Sequence, residues 1–73
     1  MDIRDNLREY IDDKAIKQAV IAPRVGLTAS QLCAVLKKRR SLDANELFLL
    51  CDALGVLPDD LRAYKPTGNG LSA

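Results

Sequence analysis

The chain contains no histidine, so the side chain best suited to acid–base work near neutral pH is missing. It also lacks a carboxylate pair in an apolar setting and a glycine-rich phosphate loop. No acid–base or nucleophilic constellation remains, so an enzyme is not expected, nor a cofactor or small-molecule substrate. Cysteine occurs twice, at Cys33 and Cys51. A zinc site needs about four Cys, His or carboxylate ligands in tight pairs, so no metal is expected. Both cysteines fall inside helical apolar patterns and read as buried small hydrophobes. A disulfide would require their Cα atoms to approach within about 7 Å. No apolar run approaches the roughly 18 residues of a membrane span. The N-terminal MDIRDNLREY is acidic and lacks the apolar region of a signal peptide, so the expected location is the cytoplasm. Glycine and proline are sparse until the end, which argues against general disorder. No aromatic residue lies between Lys14 and Leu42, so stacking on unpaired RNA bases is not favoured there.

What the chain has is a segregation of charge. Seven bases lie between Lys14 and Leu42, with no acid among them: Lys14, Lys17, Arg24, Lys37, Lys38, Arg39 and Arg40. Each flank carries five acids against two bases, so a formal charge of only +1 conceals a strongly basic middle. Such a stretch attracts a polyanion, while acidic flanks keep the rest of the surface away from it. Taken alone, a charge run is more often only a solvated face.

The 73 residues form one domain. Apolar positions recur at helical spacing throughout. Ile3, Leu7, Tyr10 and Ile11 define a helix over 3–13, with Asp2 as N-cap and a charged outer face that includes Arg4 and Asp5. Ile21, Ala22 and Val25 define a shorter helix over 17–25, closed by Gly26. Pro23 within it must sit near the first turn, or a kink must be accepted. Thr28 caps a third helix over 28–38 with Leu32, Val35 and Leu36 inward and Lys37–Arg40 at its end. Asp43 and Glu46 have capping-box spacing before a helix over 44–54, with Leu47, Leu50, Cys51 and Leu54 on its inner face and Gly55 at its end. Leu57-Pro58-Asp59-Asp60 starts a last helix over 58–64. The predicted fold is all-α, with five helices in a domain over 1–64. A polar tail, KPTGNGLSA, is expected to be mobile over 65–73.

Residues 16–38 read IKQAVIAPRVGLTASQLCAVLKK. Gln18 opens the second helix, Ala22 follows four residues later, Gly26 four beyond that, and Leu32 six further on. A small residue at 22 lets two backbones approach, and Gly26 accepts a sharp turn without steric cost. This segment resembles the helix-turn-helix of the phage repressor and Cro-type DNA-binding family. The downstream RRSLDANELFLLCDALGVLPDDL resembles the family's fourth and fifth helices. Pro23 and Lys38 depart from the family pattern, which prefers a polar residue and glycine at those points. A lysine in the left-handed region costs roughly 1 kcal/mol, or the turn differs locally.

The resemblance implies a sequence-specific regulator of double-stranded DNA, a repressor of phage or mobile-element type, with helix 28–38 in the major groove. It assigns base contacts to Ala29, Ser30, Gln31 and Ala34. Gln31 has the groups for a bidentate bond to adenine, and the alanines offer methyl contact to thymine. It assigns phosphate contacts to Lys17, Gln18, Thr28, Lys37, Lys38, Arg39 and Arg40. Alone, Thr28, Ser30 and Gln31 are ordinary first-turn residues, and Arg40 has Asp43 and Glu46 within pairing range in sequence. A single short helix reads few base pairs, so a homodimer is expected at least on DNA, paired near the fifth helix through Leu49, Val56 and Leu57. The alternative function is an antitoxin-like or adaptor module that uses the same fold for protein contact.

Overall fold

The computed structural model describes residues 2–64, and these fold into five helices with no strand among them. They are α1 (Ile3–Asp13), α2 (Gln18–Arg24), α3 (Ala29–Leu36), α4 (Ala44–Leu54) and α5 (Pro58–Arg62). The expected mobile tail, 65–73, lies outside the described residues.

Each start has a local cause. The Asp2 side chain accepts from the Arg4 backbone N–H at 2.9 Å and caps α1. Asp43 and Glu46 form the expected capping box of α4. Thr28 and Gln31 form a second box at α3, unread in the sequence although Thr-x-x-Gln is its signature. Pro58 opens α5, where its missing N–H costs nothing.

The ends of α1 to α4 share one geometry. A left-handed residue follows each helix, at Ala15, Gly26, Lys38 and Gly55 (φ 54°, 75°, 63° and 71°). The next N–H reaches back to a carbonyl of the last turn: Ile16 to Ile11, Leu27 to Ala22, Arg39 to Ala34 and Val56 to Cys51. This is the Schellman arrangement, which satisfies carbonyls that the helix leaves open.

Several expectations need correction. The third helix stops at Leu36, with Lys37 as its cap, because Lys38 turns left-handed. Lys38, Arg39 and Arg40 therefore leave the helix rather than end it. Pro23 stands next to last in α2, not in its first turn. Its ring removes a bond to Ala19, but the helix ends one residue later, where i→i−3 bonds take over: Val25 to Ala22 and Gly26 to Pro23. The fifth helix ends at Arg62, two residues short of its expected end.

The core is built from the predicted stripes. Leu7 and Ile11 of α1 meet Ile21 and Ala22 of α2, Leu32 and Leu36 of α3, Leu50 and Cys51 of α4, and Leu61 of α5. Burying one such leucine contributes about 1.5–3 kcal/mol. Val35 is also fully enclosed, whereas Leu47 and Leu54 are only half-buried at the rim. Cys51 is a buried free thiol whose pKa burial pushes up, and Cys33 is a free thiol only half-buried, because it faces away from the α3 stripe.

Asn6 is the one polar residue in the described core. Its Nδ2 donates to the carbonyls of Leu61 (2.9 Å) and Arg62 (2.8 Å), closing the end of α5 against α1. The Tyr64 hydroxyl donates to the Asp13 carboxylate, and its ring meets Tyr10 edge-on at 5.1 Å. That hydrogen bond is the main reason the Tyr64 pKa is pushed up to about 12.

Candidate nucleic-acid interface

Four residues, Val25 to Thr28, connect α2 to α3, and the two axes bend by 103°. Ala22 is fully buried inside this corner. Gly26 makes the reversal, and Leu27 turns inward beside it. The consequence is a helix held by its Leu32, Val35 and Leu36 side with the opposite side open.

On that open side Ser30, Cys33, Ala34 and Lys37 follow i, i+3, i+4 and i+7 spacing, with Ala29 and Gln31 flanking the stripe. Ala29, Ser30 and Gln31 are exposed, and Ala34 is half-buried. All four residues expected to meet bases thus share the outer part of α3. Cys33 joins them on this stripe, a neighbour that its apolar character concealed.

Gln31 is less free than its exposure suggests. Its Oε1 accepts from the Thr28 backbone N–H at 2.9 Å, while its own N–H donates to Thr28 Oγ1 at 3.0 Å. An N–H can meet only the oxygen of the amide, so Nε2 is the end that faces out.

The cations divide into two sets. Lys17, Lys37 and Arg39 are exposed and form no ion pair with a described residue. Lys38 Nζ lies 3.2 Å from the Asp5 carboxylate, and Arg40 lies 3.2 Å from Glu46. Gln18 is half-buried at the start of α2, and Thr28 is exposed at the start of α3.

Arg4 and Asp5, expected on the solvated face of α1, instead hold this basic segment, with the N-cap Asp2 behind Arg4. Asp2 grips the Arg4 guanidinium at 3.0 and 2.7 Å, and Arg4 Nη1 donates to the Arg40 carbonyl at 2.9 Å. Asp5 takes Lys38 beside it. The Arg4 side-chain hydrogen bond holds the Asp2 carboxyl well below the usual carboxylate range, and the same bond raises the Arg4 pKa. Charge alternation in Asp2-Ile3-Arg4-Asp5 hinted at pairing, but not at a partner 36 positions away.

A right-angled helix pair with its second helix open beside a basic segment defines a helix-turn-helix domain. A family model of the Cro/C1-type HTH DNA-binding domain matches residues 6–67, and the chain belongs to that family. It is a DNA-binding transcription regulator that acts on double-stranded DNA. No curated protein and no solved structure matches the chain. Among the described residues, no single helix is long and apolar enough to cross a membrane.

Proposed function

We propose that the protein is a sequence-specific repressor of phage or mobile-element type, which places α3 in the major groove and binds as a homodimer. The observation that supports this best is the open outer side of α3, polar at its first turn and followed directly by exposed cations. Ala29, Ser30, Gln31 and Ala34 meet base edges. Lys17, Gln18, Thr28 and Lys37 to Arg40 meet phosphates, which fix position and affinity rather than sequence.

Pairing follows from information. An eight-residue helix is roughly 12 Å long and spans only a few base pairs. Two copies on a twofold axis read half-sites about 34–36 Å apart. Leu57 and Leu49 are 67% and 46% exposed, with Val56 half-buried between them in sequence, and they supply an apolar surface for pairing. The same exposed leucines, with Phe48 at 54%, favour the adaptor reading if they meet a different protein. Footprinting on the region upstream of the protein's own gene, with sedimentation of the complex, separates these. A twofold-related footprint with two proteins per site is expected. One protein per site, or no footprint, removes the dimeric repressor.

A further inference from the structure

The groups available to read bases on α3 are nearly all of one kind. Lys37 carries only donors. Ala29 and Ala34 carry neither donor nor acceptor, and the Cys33 thiol is weak in both senses. Gln31 would normally offer one acceptor and two donors, but its Oε1 is held by the Thr28 N–H. What remains is Nε2, which has no partner among the described residues. Apart from the Ser30 hydroxyl, this surface offers no strong acceptor toward DNA.

Base edges differ in what they ask for. In the major groove guanine presents two acceptors, N7 and O6, and no donor from its own edge. Adenine sets the N6 donor beside N7, so bidentate recognition needs both ends of the amide turned to the base; Oε1 keeps a second lone pair, but the bond to Thr28 fixes the way the amide is turned. Cytosine presents a donor alone. A glutamine whose oxygen serves the cap matches the two acceptors of guanine, half-matches adenine through N7 and thymine through O4, and opposes cytosine. Freeing the oxygen for adenine would leave the Thr28 N–H at the start of α3 without its cap.

We infer that Gln31 reads a guanine edge through Nε2 as a donor, and that its capping bond to Thr28 excludes the bidentate adenine contact open to a free glutamine. The inference rests on the proposed seating of α3 in the major groove. It makes Thr28 a positioning residue for specificity, since it chooses which end of the Gln31 amide meets the DNA.

Gln31→Glu tests this without removing the cap. A carboxylate at the third helical position completes the same box, as Glu46 does in α4, so the fold and melting temperature should persist. The outward group changes from donor to acceptor. Both proteins are used to select sites from a random duplex library at one salt concentration. Wild type should enrich guanine at one position in each half-site. The variant should enrich cytosine there, whose N4 donor suits a carboxylate. Its affinity for the wild-type site should fall about 10-fold or more, the usual scale for a lost base contact.

A measurement on the DNA side needs no variant. Hypoxanthine in place of that guanine keeps N7 and O6 and should leave wild-type affinity unchanged. Adenine there should lower it about 10-fold. Identical base choice by the two proteins, or equal affinity for guanine and adenine, overturns the inference while leaving DNA binding intact. A wild-type protein that selects no sequence overturns the proposed sequence-specific function, and this inference with it.

Discussion

Ala15 and Gly26 occupy equivalent points at the ends of α1 and α2, and only one is the residue that the backbone favours. Both have positive φ, 54° and 75°. A Cβ at Gly26 would meet nothing within 4 Å, so Gly26→Ala introduces backbone strain and no clash. Its expected cost is about 1 kcal/mol, read as a lower urea midpoint with unchanged slope. A loss above about 3 kcal/mol would mean that the turn itself had rearranged. The reverse change at Ala15, which is exposed, should stabilise by about 1 kcal/mol. Lys38→Gly should gain less, because it also gives up the Asp5 contact. Glycine at 26 and 55 announced two of these ends in the sequence. Ala15 carried no such signal, since alanine is the best helix former and its conformation is imposed by the bond from Ile16 to Ile11.

At the scale of elements, α1 is a brace for the segment that follows α3. Its first turn holds that segment through the Arg4 bond to the Arg40 carbonyl and the Asp5 pair with Lys38, and Glu46 of α4 takes the Arg40 side chain. Arg4→Ala should speed amide exchange at Arg39 and Arg40 and weaken DNA binding, while far-ultraviolet circular dichroism stays unchanged. Arg4→Lys should not rescue it, because an ammonium cannot make the fork to Asp2 and reach the carbonyl together. Unchanged exchange in both variants would remove the brace. This arrangement was not legible beforehand. Periodicity marks which residues of α1 face inward, but a surface arginine's partner depends on where α3 ends. Asn6 shows the same limit, for its acceptors lie at the far end of the chain. The helices themselves were legible because their stripes, caps and glycines agreed.

For the whole molecule, the paired and unpaired cations should separate in a salt titration. Each phosphate contact contributes about 0.9 to the slope of log K against log salt. Lys37→Ala and Arg39→Ala should each lower the slope by about that amount. Arg40→Ala should lower it less and cost stability, since Arg40 already serves Glu46. Equal slope changes at all three would mean that Glu46 does not compete with phosphate for Arg40. Alkali tests the other face. The Tyr64 pKa is raised from 10.0 to about 12, so its bond to Asp13 stabilises the fold fully below pH 10 and is lost as pH rises through about 12. Tyr64→Phe should flatten the decline of stability between those values, and an unchanged profile would discount the bond.

The two tyrosines also serve as a spectroscope. With no tryptophan in the chain, Tyr10 and Tyr64 supply nearly all of its near-ultraviolet signal. They sit edge-on at the junction of α1 with the end of α5, and not on the outer stripe of α3. Their circular dichroism near 280 nm therefore reports whether α5 is docked, without any attached label. Followed on dilution of the free protein, before DNA adds its own band at that wavelength, this signal tests the pairing proposed near α5.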